Sequence, residues 1–233
     1  MNVRVLIPAA GAGRRMGAGT NKQYLELAGR PILARTLDLF EQHPLIDTII
    51  IIVSPAEIAY CQAEIVARGD YRKVTAVVAG GAERQDSVYA GLQACEASED
   101  DLILIHDGAR PLISVELVNR VIESVQQHGA CLTAVPVKDT VKVVQDGCVV
   151  DTPDRATLWL AQTPQAFRYG LIRSAYDRAS EAGVRATDDS QLAEWAGYTV
   201  RVVQGDYRNL KITTPEDLSV AERLLAGGSE VGS

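Results

Sequence analysis

Aromatic residues are scarce, at 5% of the 233 residues, with two Trp, two Phe and eight Tyr. The core must therefore be built from Val, Ile, Leu and Ala. There are three histidines and four cysteines, and Cys61, Cys95, Cys131 and Cys148 stand far apart with no CxxC spacing. That excludes a zinc-ligand signature and reads as reduced structural thiols of a cytoplasmic protein. No Ser-His-Asp or Cys-His arrangement is visible, which argues against covalent hydrolysis. No apolar run approaches the ~20 residues of a membrane span. The opening MNVRVLIPAAG enters an apolar strand directly, without the basic and apolar regions of an export signal. Cationic excess is also missing. Lys plus Arg number 23 against 30 Asp plus Glu, a net charge of -7. Such a chain does not coat nucleic acid, and any polyanionic ligand must be held by a local basic cluster. Internal repeats and flexible linkers are absent. The expectation is one domain over residues 1–226, with the closing GGSEVGS (227–233) as a flexible tail.

What is present is alternation. Strands are predicted at Val3–Pro8, Thr48–Val53, Val74–Val78, Leu102–His106 and Ala130–Val135. Helices are predicted at Pro31–Gln42, Ala56–Arg68, Arg84–Glu96 and Val115–His128. Near-continuous apolar strands separated by helices imply a mostly parallel α/β sheet covered on both faces. Ligands of such sheets bind at the carboxyl ends of the strands. After Pro136 the pattern changes to two short strands, Val141–Val144 and Cys148–Val150, around an Asp146-Gly147 turn. This ribbon, within residues 137–157, reads as an arm that packs on the body or on another subunit. A helix at Leu171–Glu181, another from near Thr187, a strand at Thr199–Val203 and a helix at Pro215–Leu225 complete the chain.

Three loops carry the chemistry. PAAGAGRRMGAGTNKQ follows the first strand with Gly11, Gly13, Gly17 and Gly19 beside Arg14, Arg15 and Lys22. Backbone N–H groups and fixed cations suit a polyphosphate. The loop is no P-loop, and its Gly11-x-Gly13 opening does not complete a dinucleotide fingerprint because Met16 stands at the third glycine. The blander alternative is a glycine-rich turn with surface arginines. LILIHDGARP (102–111) puts Asp107 at a strand's carboxyl end, where it can bind a ribose hydroxyl or magnesium. Arg110 can steady Asp107 or reach phosphate, and His106 reads as structural rather than as a general base. AGGAERQDSV brings Gly80, Gly81, Arg84 and Ser87 to the next helix start, suited to a base edge or to helix capping. Lys211 is a charge within the short run NLKIT. Cations, glycine loops and one well-placed carboxylate suit phosphoryl or nucleotidyl transfer.

PAAGAGRRMG…NKQYLELAGRPIL, GGAERQDSV, HDGARP, VKDTVK, DR ahead of LWLAQTPQAF, TDD and NLKITTPEDL together resemble the 2-C-methyl-D-erythritol 4-phosphate cytidylyltransferases over roughly residues 3–225. The resemblance implies a Rossmann-like three-layer nucleotidyltransferase fold with a protruding β-arm. It implies transfer of CMP from CTP to methylerythritol phosphate with magnesium, in a homodimer whose arms complete the partner's site, with no nucleic acid or membrane involved. Arg15, Lys22 and Lys211 match the residues that act on the phosphates. Ala9, Ala10, Gly11, Ala12, Gly13, Gly80, Gly81, Arg84, Ser87, Asp107 and Gly108 match the nucleotide-binding positions, with Asp107 also the metal-proximal carboxylate. Arg110, Thr140, Arg155, Thr163 and Thr187 match positions nearer the acceptor. The sequence departs from the family pattern at Asn21, commonly Pro, at Gly108, commonly Ala, and at Asp188-Asp189, more usually Asp-Glu. The nearest alternative is a ribitol-5-phosphate cytidylyltransferase, against which Ala109 argues.

Overall fold

A computed structural model of the chain describes residues 1–11 and 21–228. Its centre is a seven-stranded sheet. The strands that read as parallel from their apolar runs are β1 (Val3–Pro8), β4 (Thr48–Val53), β5 (Val74–Ala79), β6 (Leu102–Ile105) and β7 (Ala130–Pro136). The small hairpin β2 (Glu26–Leu27) and β3 (Arg30–Pro31) precedes β4 and turns at Ala28 and Gly29, both with positive φ. The arm strands are β8 (Val143–Gln145) and β9 (Cys148–Asp151), followed by β10 (Trp159–Arg168) and β11 (Arg201–Gln204). The sheet order is β11-β7-β10-β6-β1-β4-β5.

The pleat explains why both faces must be covered. Val5 and Ile7 point to one side, under Leu33, Leu37 and Phe40 of α1 (Ile32–Gln42). On that side α2 (Ile58–Tyr60), continued by a π-helical stretch over Cys61–Ala67, adds Ile65. Leu6 points to the other side, with Val88 and Leu92 of α3 (Arg84–Gln93). The helix α4 (Val115–His128) adds Val118, Val121, Ile122 and Val125 to the first face. The helices α5 (Tyr169–Ala182) and α6 (Asp189–Trp195) close the second. The final helix α7 (Pro215–Gly228) puts Ala221 against Leu27, Ile32 and Ile212. The three-layer, mostly parallel α/β expectation holds. α7 runs two residues into the expected tail, and residues 229–233 lie outside those described.

One difference has a local cause. β10 is a ten-residue strand that the sequence reading leaves unassigned, and it runs antiparallel between β6 and β7. Its buried stretch contains Gln162, Thr163 and Gln165, which are satisfied by side-chain hydrogen bonds. Polar residues inside, with Pro164 at a register shift, hide the strand pattern. The arm turns at Asp146 (φ 50°) and Gly147 (φ 76°) as the Asp-Gly pair predicts. Every residue of β8 and β9 is exposed, so of the two expected packings the body is not the one adopted.

Candidate active site

The carboxyl ends of β1, β5 and β6 open into a cavity of about 240 Å³. Its lining unites Ala10 and Gly11 after β1, Lys22, Gly81, Arg84 and Ser87 around the start of α3, Asp107 after β6, and Lys211. Glycine is required at position 80 by close approach, since a Cβ there would stand 2.7 Å from Ala10 Cβ and from Ser87 Oγ. Ser87 Oγ accepts the Gly81 N–H at 3.1 Å and donates to Glu83 O at 3.0 Å, which folds the turn onto the helix. The glycine turn itself is closed by a capping box between Glu83 and Asp86.

Asp107 is the electrostatic centre. Lys211 Nζ lies 2.9 Å from Oδ2, Arg110 Nε 3.5 Å from Oδ2, and Arg84 Nε 3.4 Å from Oδ1. Burial alone would raise the Asp107 pKa, but the charges of Lys211, Arg84 and Arg110 outweigh it and hold the carboxyl far below the usual carboxylate range. Lys211 is delivered by its neighbours. Ile212 is fully buried, and its N–H donates to Ala109 O at 2.9 Å. Asn209, also fully buried, donates through Nδ2 to Thr163 O at 2.8 Å and accepts at its backbone O from Arg110 Nη1 at 2.7 Å. The segment is thereby clipped to both β10 and the loop after β6.

Behind Asp107 lies a buried relay. The Asp107 N–H donates to Thr163 Oγ1 at 3.0 Å, and Thr163 Oγ1 lies 3.2 Å from His106 Nδ1. The hydroxyl's own hydrogen therefore goes to Nδ1, and His106 Nε2–H donates to Arg110 O at 3.1 Å. Burial pushes the His106 pKa down to about 4, so the ring is neutral and structural, as its place at the strand end suggested.

Not every expected residue reaches the cavity. Ala9 is buried, donating to Ile52 O and accepting from Gln23 Nε2. Gly80 and Gly108 support the loops from behind, Gly108 by donating to Pro8 O and accepting from Thr36 Oγ1. Arg110 and Thr163 are buried, and their polar atoms face Asp107, His106 and Asn209 rather than a ligand. Thr187 is exposed and its Oγ1 donates to Gln191 Oε1 at 3.2 Å. Thr140 and Arg155 sit exposed on the arm, where Arg155 Nη1 donates to Lys138 O. Ala12, Gly13 and Arg15 lie outside the described residues. Asp189, Asn209 and Gln165 were missed as contributors. Their partners lie far along the chain, and the only signal was a second aspartate after Asp188 and a polar residue preceding Leu210-Lys211.

Among the described residues no three of His, Cys, Asp and Glu stand together as a metal centre. Asp107 on the cavity wall still fits a hard cation that takes one carboxylate from protein and its other oxygens from phosphates and water.

Comparison with known proteins gives a concordant result. The family model described as 2-C-methyl-D-erythritol 4-phosphate cytidylyltransferase matches residues 3–227. A protein of that description from Syntrophotalea carbinolica is 56% identical over 225 residues, covering 97% of each chain. One from Geobacter metallireducens is 54% identical over 227 residues, covering 97% of this chain and 98% of the relative. Among solved structures, the Francisella tularensis 2-C-methyl-D-erythritol 4-phosphate cytidylyltransferase superposes with a TM-score of 0.84 at 34% identity, covering 96% of this chain and 99% of that one. The Thermus thermophilus protein of the same name gives 0.80 at 36% identity, covering 97% and 100%. The chain belongs to the 2-C-methyl-D-erythritol 4-phosphate cytidylyltransferase family.

Proposed function

We propose that the chain transfers the cytidylyl group of CTP to the phosphate of 2-C-methyl-D-erythritol 4-phosphate, releasing pyrophosphate and forming 4-diphosphocytidyl-2-C-methyl-D-erythritol. The observation that carries this reading is the buried carboxylate of Asp107 among Lys211, Arg84 and Arg110 on a cavity at the sheet's carboxyl edge. Those groups position and neutralise; none is a nucleophile.

The acceptor needs no general base, because a phosphate monoester has its second pKa near 6 and is already ionised. The barrier is the approach of two polyanions. Lys22 and Lys211 line the cavity and are assigned to the CTP phosphates, where they offset repulsion and the charge that builds on the α-phosphate. Arg15 is assigned the same task by resemblance. Ala10, Gly11, Gly81 and Ser87 offer backbone and hydroxyl groups to the cytidine side, with Ala9, Ala12, Gly13, Gly80 and Gly108 shaping the loops. Asp107 is assigned the ribose or one magnesium position. Magnesium, when bound with the nucleotide, supplies charge neutralisation across the phosphates. Arg110 and Thr163 act by fixing Asp107.

Thr140, Arg155 and Thr187 are assigned to the acceptor, with the first two supplied by a second copy of the chain. The arm supports that assignment: Val144, Val149 and Val150 are each more than half exposed, and Leu160 at the base of β10 is 56% exposed. An apolar ribbon of this kind fits an interface between copies.

Pyrophosphate release with CTP and magnesium tests the reading. It should require methylerythritol phosphate. Release with ribitol 5-phosphate in its place, and none with methylerythritol phosphate, would overturn the acceptor assignment.

A further inference from the structure

Arg84 reaches the cavity wall from α3, but its main partner lies on the far side of the chain's order. Arg84 Nη1 donates to Asp189 Oδ1 at 2.9 Å and Nη2 to Oδ2 at 2.7 Å. Tyr176 O–H donates to the same Oδ1 at 2.6 Å. Asp189 is fully buried. Its place is fixed from the sheet as well: Gln165 of β10 donates to Asp188 Oδ2 and accepts from the Ser190 N–H, on either side of Asp189. Only Nε is left for Asp107, donating to Oδ1 at 3.4 Å.

The arrangement is more than a buried ion pair. Burial opposes the Arg84 charge, and the Asp189 and Asp107 carboxylates more than restore it, so the group stays cationic. A guanidinium without a second anchor would close onto Asp107 in a two-pronged pair, the strongest geometry open to it. With Asp189 in place, Arg84 meets Oδ1 through Nε alone, in one hydrogen bond of 3.4 Å. A buried pair of this kind contributes little to stability that an apolar pair would not, so its geometry points to another use.

We propose that Asp189, backed by Tyr176, is a positioning residue of the nucleotide site, holding Arg84 by both Nη groups so that it meets Asp107 Oδ1 through Nε alone and leaves the remaining lone pair of Oδ1 to the ligand. This rests on the cytidylyltransferase reading and deepens it by naming what presets its central carboxylate. The role belongs to binding the nucleotide rather than to the transfer step.

Steady-state kinetics, CTP titration with magnesium and side-chain arginine NMR on the full chain test it. Asp189→Asn should raise KM and Kd for CTP by about tenfold while kcat changes by less than about threefold. Asp189→Glu should recover most of the loss. Arg84→Ala combined with Asp189→Asn should bind CTP no worse than Arg84→Ala alone, because the aspartate acts through that arginine. Tyr176→Phe keeps both charges, and should raise KM for CTP by about threefold, with melting lowered as for the loss of one buried hydrogen bond to a charge. In the ligand-free protein Arg84 should show slowed guanidinium rotation that Asp189→Asn releases. Additive losses in the double variant, or lowered melting with unchanged KM, would overturn the proposal. If Asp189→Asn does not fold, an unchanged KM in Tyr176→Phe would overturn it too. A wild-type chain inactive with methylerythritol phosphate would refute the activity instead, with the titration and NMR still deciding the role of Asp189.

Discussion

Asp107 concentrates what a single side chain contributes. It is the anion on which Arg84, Arg110 and Lys211 converge, and Arg110 is buried. Asp107→Asn should lower kcat/KM by about 100-fold or more. It should also destabilise the fold by about 3 kcal/mol, since an unpaired cation is left in the interior. Kinetics and chemical denaturation on the same preparation would read both. His106 makes a different expectation. Burial depresses its pKa from an ordinary 6.5 to about 4 in the folded chain. Above pH 6.5 both states are neutral and its contribution is fully present. As pH falls from 6.5 towards 4 the unfolded chain takes up a proton that the folded chain refuses, and up to roughly 3 kcal/mol is lost. Burial lowers His43 in the same direction. Denaturation midpoints between pH 7.5 and 4.5 should therefore fall, and His106→Gln should flatten part of that slope. A slope unchanged in the variant would contradict a neutral buried ring. Asp107 was legible in the sequence because it follows an apolar run that ends at the sheet edge, and Lys211 because it is a charge inside the short run NLKIT. Asp189 was not, because its link to Arg84 spans 105 residues and exists only after folding.

At the scale of elements, legibility followed periodicity. β1, β4 and α4 fall at their expected boundaries, since their apolar positions repeat at the strand or helix period. α4 also has both stops written in: Ser114 Oγ accepts the Leu117 N–H, and Gly129 takes φ 80° after the last turn. β10 escaped because its buried glutamines and threonine obey hydrogen bonding rather than hydropathy. The arm was legible as a hairpin and nothing in its own sequence says what covers it. Its exposed valines carry the element-scale expectation: Val144→Asp with Val149→Asp should shift the chain from dimer to monomer in sedimentation and lower turnover by about tenfold or more, leaving the melting of the body nearly unchanged. A wild-type chain that sediments as a monomer would remove the second copy from the site.

Across the whole molecule the net charge is -7, yet the carboxyl edge of the sheet gathers Lys22, Arg84 and Lys211 onto one cavity. The fold makes that possible by bringing β1, β5 and β6 to the same edge while the 209–212 segment returns from the far end of the chain. Composition could state only that a local basic cluster was needed; the sheet order decides which cations meet. The most direct measurement compares wild type with Lys211→Ala for pyrophosphate release from CTP and methylerythritol phosphate, beside CTP titration of both. Turnover should fall by about 100-fold or more while CTP affinity changes by only a few fold, as for a cation that acts mainly on charge developing in transfer. Unchanged turnover in Lys211→Ala, or equal losses in turnover and affinity, would contradict that assignment.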